Sequence, residues 1–269
     1  MKRLTILADL AKDTLSRREL VAAILGRLPE NSNPRIDFVE SEFNTYHTSF
    51  LLSQIVFTEE RLGAPQENVI FVNTDPRTDK SEAHEVGLGA LFLVAILKSG
   101  LIICGPNGGY CFSMIKEKIE QLFVYRGVES GSQFRSRDRF PQVVAPLMEE
   151  KEESLNLEEI SLEVIPDLNS KIVAHIDNFG NIKTTFTKNE FEKFAAGTKI
   201  KVEINGVKQE VIYTHHLTGH HPGELLFYPG SSGDINNPFM EIANLFSDNY
   251  KSARDYFGHP KPGMEVKIK

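Results

Sequence analysis

The chain has 269 residues, a hydrophobic fraction of 41%, a charged fraction of 25% and a formal net charge of −7. Such a length and balance describe a soluble globular protein of one large or two ordinary domains, able to bury a core without staples. The acidic balance argues against bulk nucleic-acid binding, which needs a positive surface, and the longest apolar stretch, residues 86–97, contains glycines and is too short to span a bilayer. The two cysteines, Cys104 and Cys111, flank a Gly-rich turn with no CxxC spacing, so they read as reduced thiols rather than a disulfide framework or metal pair. The basic start Met1-Lys2-Arg3 precedes too short an apolar run for a signal peptide, and the expected location is cytoplasmic.

In chain order, residues 4–8 read as a buried strand ending at Asp9. Residues 16–28 carry Leu20, Val21, Ile24, Leu25 and Leu28 at helical spacing, with Ser16 and Glu19 placed for a capping box. A short strand is expected over 35–39, an amphipathic helix over 47–62, and a strand over 69–73 that runs into Asn73-Thr74-Asp75-Pro76. Residues 91–97 and 101–104 form a hairpin or two adjacent strands, and 114–123 read as another helix. This alternation predicts an α/β domain over residues 1–160. The charge run 149–154 is a helix end or a solvated linker.

Beyond it the pattern changes. Strand-like runs at 159–165, 171–176, 181–186, 199–204, 208–213, 224–228 and 264–268 are separated by turn residues such as Asn205-Gly206, which predicts an all-β, barrel-like domain over 168–269.

Several segments carry candidate chemistry. Asp9 and Asp75 stand where strands end, the edge that faces ligands in open α/β sheets, although a solvated turn carboxylate explains each by itself. The loop Cys104-Gly105-Pro106-Asn107-Gly108-Gly109-Tyr110 could admit a ligand to its backbone, or be a plain surface turn. It is neither a GxxxxGK[ST] loop nor a GxGxxG turn, so nucleotide-triphosphate and dinucleotide binding lack support. Three arginines surround Asp138 in residues 132–140, which fits either a surface ion-pair cluster or a carboxylate pocket. His215-His216-Leu217-Thr218-Gly219-His220-His221 has the composition of a metal tract, but its Gly and Pro place it in a loop and no thiol completes a ligand set; no metal is expected. Gly230-Ser231-Ser232-Gly233 is not GxSxG, and no Ser-His-Asp constellation is legible. The stretch 172–181 is a strand running into Asp177-Asn178-Phe179-Gly180-Asn181 and a second strand. It is an ordinary hairpin, or a rigid turn whose polar tips clamp a small ligand.

Taken together and in order, these segments resemble the S-adenosylmethionine hydroxide adenosyltransferase family, which is similar to the fluorinase and chlorinase enzymes. Leu7-Ala8-Asp9-Leu10-Ala11 resembles the family's Thr-Asp-Phe-Gly, and Val72-Asn73-Thr74-Asp75-Pro76 its Val-Val-Asp-Pro-Gly. Pro106-Asn107-Gly108-Gly109 resembles Pro-Asp-Asn-Gly, and residues 132–140 resemble Ser-Thr-Phe-His-Gly-Arg-Asp-x-Phe. Asp177-Asn178-Phe179-Gly180-Asn181 matches Asp-x-Phe-Gly-Asn, and Ser231-Ser232-Gly233 with Met240-Glu241-Ile242-Ala243 resembles Ser-Ser-Gly-x-Leu-Glu-Ile-Ala.

The resemblance implies an N-terminal α/β domain, a C-terminal β-barrel and a homotrimer, with the ligand held between one subunit's N-terminal domain and a neighbour's C-terminal domain. It implies S-adenosylmethionine, or adenosine, as the small-molecule ligand, with no cofactor. Asp9 would hold the ribose hydroxyls, Asp177 and Ser231 would meet the methionine portion, and Asn181 with the backbone of Ala243 would read adenine. Asn107 and Ser232 would join the binding set, and Tyr213 is a candidate for stacking on the base. The family activates water with an Asp, an Arg and a His. Asp75 is retained here, the loop after it is Pro76-Arg77-Thr78-Asp79-Lys80 without the family's glycines, and Arg135 takes the His position. The implied reaction is hydrolysis to adenosine and methionine, with Asp75 and Arg135 as the catalytic pair; the alternatives are a binding protein without turnover and a halide-using relative.

Overall fold

The computed structural model describes residues 1–74, 90–127, 134–245 and 249–269, and the chain divides into two compact units, Met1–Asp167 and Leu168–Lys269.

The first unit opens with β1 (Arg3–Ala8), α1 (Thr14–Leu25), β2 (Ile36–Glu40), α2 (Thr45–Leu62) and β3 (Asn68–Asn73). It continues with β4 (Phe92–Leu97), β5 (Ile102–Pro106), β6 (Ile119–Tyr125), α3 (Arg135–Asp138), α4 (Pro141–Met148) and β7 (Leu157–Glu159). The strands form one sheet in the order β2-β1-β3-β5-β4-β6-β7. β2, β1, β3 and β5 run parallel, and β4, β6 and β7 continue the sheet antiparallel. Alternate side chains of β1 go to opposite faces, as the strand period demands. Leu4, Ile6 and Ala8 join α1 and α4 in one core, while Leu7 joins Ile70, Val72, Leu52 and Val56 in the other. The α/β class read from the sequence is the class observed.

Local details differ from the sequence reading. α1 starts at Thr14, and Asp13, not Ser16, is its cap: its carboxylate accepts from the N–H groups of Leu15 and Ser16. Asp and Ser cap about equally well, so the earlier residue takes the position. Residues 114–123 are not one helix: a 3-10 turn, Ser113–Lys118, leads into β6. Ile119, Leu122 and Val124 are buried there with β6 paired to β4, a tertiary pairing that outweighs local helical spacing. β4 and β5 are a hairpin, turned at Gly100 with φ 79. Residues 159–165 hold only the end of β7 and a 3-10 turn, Leu162–Val164.

The second unit contains β8 (Val173–Ile176), β9 (Ile182–Thr187), β10 (Lys199–Ile204), β11 (Val207–Tyr213), β12 (Leu225–Gly233), β13 (Pro238–Asn244), α5 (Ala253–Tyr256) and β14 (Val266–Ile268). β13 lies outside the strand-like runs of the sequence, because Glu241 interrupts its apolar stretch. The sheet order is β14-β10-β11-β12-β13-β9-β8. Its two ends meet: Ile172 bridges Glu265, and the Val173 and Val266 N–H groups donate to Met264 and Lys171 carbonyls, both at 2.8 Å. That closure gives the expected barrel-like sheet around a core that includes Val173, Ile182, Val202, Tyr213, Phe227 and Ile242.

Candidate functional site

In the first unit, polar residues collect where the parallel strands end. The registers Ala8↔Glu40, Ala8↔Asn73 and Phe71↔Cys104 put Ser41, Asp9, Thr74 and Asn107 at one level just past the sheet. Asp9 is half-buried at the start of a 3-10 turn. Thr74 is fully buried, and its hydroxyl meets those of Ser41 at 3.0 Å and Thr48 at 2.9 Å. Asn107 is buried; its Nδ2 donates to the Val164 carbonyl at 2.8 Å, while its Oδ1 has no hydrogen-bond partner among the described residues. Gly105 makes this edge possible: at φ 153 a β-carbon there would overlap the Val72 carbonyl. Burial, with Lys12 adding to it, pulls His47 down to about 4, and its Nδ1 accepts the Glu42 N–H at 3.0 Å. Burial and the neighbouring Tyr110 push Tyr46 up to about 12, and the two rings stack at 4.3 Å. Arg135, half-buried, begins α3 with its guanidinium 5.7 Å from the Phe140 ring centre. Asp75 and Ser132 lie outside the described residues.

In the second unit, Asp177 to Asn181 join β8 to β9. The Asp177 N–H donates to the Asn181 carbonyl at 3.1 Å and the Gly180 N–H to the Asp177 carbonyl at 2.9 Å, which closes a tight loop with Gly180 at φ 79. The Asp177 carboxylate is engaged inside it: Oδ1 accepts from the N–H groups of Phe179 and Asn181 at 2.9 and 3.0 Å, and Oδ2 from Asn181 Nδ2 at 3.0 Å. The turn is pinned from outside by the Arg254 N–H, which donates to the Gly180 carbonyl at 2.9 Å. Continued one step past Ile242↔Ile182, the β9–β13 register sets Asn181 opposite Ala243, which is fully buried. The two residues expected to read adenine are therefore neighbours.

Two residues before Ala243 on β13 lies a residue without a role in the sequence analysis. Glu241 is buried, and its carboxylate accepts from Lys183 Nζ, from Tyr228 OH at 3.1 Å, from the Ser231 N–H at 3.3 Å and from Ser232 Oγ at 3.4 Å. Burial, followed by Glu241 and then Asp177, pushes the Tyr228 hydroxyl well above its ordinary range. Leaving Glu241 buried without Lys183 would cost about 3–5 kcal/mol. A carboxylate within the otherwise apolar Phe239-Met240-Glu241-Ile242-Ala243 was the legible signal for this cluster.

Tyr213 requires a correction. It is 1% exposed, with Phe191 at 6.3 Å and Phe194 at 6.2 Å between ring centres. It is a barrel-core residue with no free face for a base, because an aromatic ring this size gains most by full burial. The histidine tract lies in the connection between β11 and β12, where His220 meets Thr214 Oγ1 at 3.1 Å and Glu224 at 3.4 Å. Among the described residues no group of three or more His, Cys, Asp or Glu is arranged to hold a metal ion.

Residues 171–251 match the family model described as SAM hydroxide adenosyltransferase C-terminal domain. That matched stretch lies within the second unit, Leu168–Lys269. Asp177, Asn181, Lys183, Tyr228, Ser231, Ser232, Glu241 and Ala243 all fall within that domain's matched stretch. Among solved structures, an uncharacterized conserved protein from Thermotoga maritima is similar at a TM-score of 0.70 and 20% identity, covering 99% of this chain and 100% of that one. A conserved hypothetical protein from Thermus thermophilus is similar at 0.67 and 21%, covering 100% of both. At that identity the likeness establishes the fold. No curated protein matches the chain. No helix among the described residues is long and apolar enough to cross a membrane.

Proposed function

We propose that the protein hydrolyses S-adenosylmethionine to adenosine and methionine. The observation that carries this reading is the Asp177–Asn181 turn set beside Ala243 within the SAM hydroxide adenosyltransferase C-terminal domain. In the proposed reaction a water oxygen attacks C5′ of the ribose in line with the sulfonium. The C5′–O bond forms as the C5′–S bond breaks, sulfur leaves with the electron pair as neutral methionine, and the water's proton is released. A sulfonium is a good leaving group, so neither a general acid nor a cofactor is required. What the protein must supply is a desolvated, aligned nucleophile.

Asp75 orients the water and Arg135 supplies positive charge beside it. Asp9 holds the ribose hydroxyls, and the open Oδ1 of Asn107 offers an acceptor at the same strand-end level. Asp177 and Ser231 meet the methionine portion with Ser232 behind them, while Asn181 and Ala243 read the base. A homotrimer in the cytoplasm completes the proposal.

Purified protein incubated with S-adenosylmethionine should release adenosine and methionine in equal amounts. Release no greater than from an Asp75→Ala control would sink the proposal. A second reading, binding without turnover, is favoured by one feature: Arg135 cannot serve as a general base near neutral pH where the family has His. Calorimetry showing tight binding of S-adenosylmethionine without product would select it.

A further inference from the structure

Glu241 has no assigned role, yet four donors converge on its carboxylate beside the clamp. They come from two strands. Lys183 lies on β9, two positions after Asn181; Tyr228 lies on β12; Ser231 and Ser232 form the irregular part of β12, where the register with β13 shifts between Pro229 and Gly233. A bulge leaves a backbone N–H without a ladder partner. Here the Ser231 N–H donates to Glu241 Oε1 instead. The chain is shaped around that carboxylate, since a β-carbon at Gly230 would overlap it. The result is directional. Ser232 is buried with its hydroxyl on Glu241, while Ser231 is exposed with its side chain free to face a ligand.

We propose that Glu241 is the positioning residue of the methionine subsite, holding the Ser231–Ser232 bulge in the one conformation that presents Ser231 to the amino-acid end of the substrate. The inference rests on the proposed function, because it takes Ser231 to be a substrate contact. It predicts selectivity that a general loss of packing would not produce. Glu241→Gln keeps the shape and one acceptor but sets an amide against Lys183, so the bulge loses its fixed hold.

The test is calorimetric binding of S-adenosylmethionine and of adenosine, which lacks the methionine portion, to wild type and variants. Glu241→Gln should bind S-adenosylmethionine about tenfold more weakly and adenosine as wild type does. In a Ser231→Ala background the same change should have little further effect on S-adenosylmethionine, because the contact it orients is gone. Should Glu241→Gln fail to fold, Tyr228→Phe removes a single donor and should show a smaller loss with the same selectivity. Equal weakening of both ligands, or a full Glu241→Gln effect persisting without Ser231, overturns the inference while leaving the proposed function standing. Wild-type protein that binds neither ligand overturns both.

Discussion

Asn181 Nδ2 donates to Asp177 Oδ2 at 3.0 Å, so the two polar tips of the β8–β9 turn hold each other before any ligand arrives. The turn is preorganised, and its carboxylate presents a fixed orientation instead of a mobile one. For a small cationic ligand this reduces the ordering cost of binding.

Removing that carboxylate should therefore act on stability as well as on binding. Asp177→Ala deletes three hydrogen bonds and should cost about 1–3 kcal/mol in urea unfolding. Phe179, 77% exposed at the tip, contributes no such anchor, and Phe179→Ala should stay within about 0.5 kcal/mol of wild type. Equal costs at the two positions would contradict the preorganised turn.

Three glycines should respond differently to alanine. At Gly206, φ is +81 and nothing lies within 4 Å, so the cost should be the backbone strain alone, about 1 kcal/mol. At Gly180 the new methyl would also approach Ser252 Cβ to 2.6 Å, and the cost should be larger. Gly105→Ala would drive a methyl into the Val72 carbonyl between paired strands and should prevent folding of the first unit. Thermal unfolding of the three variants checks the order.

His47 predicts an acid limb in stability. Burial, helped by Lys12, lowers it from 6.5 to about 4, so between those values the unfolded chain takes up a proton that the folded chain refuses. The contribution is complete above about pH 6.5 and is lost as pH falls towards 4, by up to about 3 kcal/mol. His47→Asn, which retains an acceptor for the Glu42 N–H, should flatten that limb in urea titrations at stepped pH.

For catalysis, Arg135→Ala should lower kcat about tenfold to a hundredfold, the scale expected for a group that stabilises charge at the reacting centre. The KM for S-adenosylmethionine should change little, because Arg135 is assigned to the water and not to the ligand. A rise in KM at constant kcat would move Arg135 into the binding set.

Much of this protein was legible in its residues. The short apolar runs of residues 4–8 and 69–73 and the turn chemistry of Asp177-Asn178-Phe179-Gly180-Asn181 are local properties, set by residue type and by which residues tolerate positive φ. They determined the α/β start, the barrel-like end and the hairpin. What tertiary structure alone decided depends on partners distant in sequence. β6 replaced an expected helix because β4 was there to pair with it. Tyr213 became core because Phe191 and Phe227 filled the barrel around it. Asn181 met Ala243 through a strand register that no local pattern encodes. Glu241, visible in the sequence only as a carboxylate within an apolar run, became the centre of a buried network because strand pairing brought Lys183, Tyr228, Ser231 and Ser232 to its carboxylate. Burying a charge is unfavourable until such partners surround it, and only the folded chain supplies them.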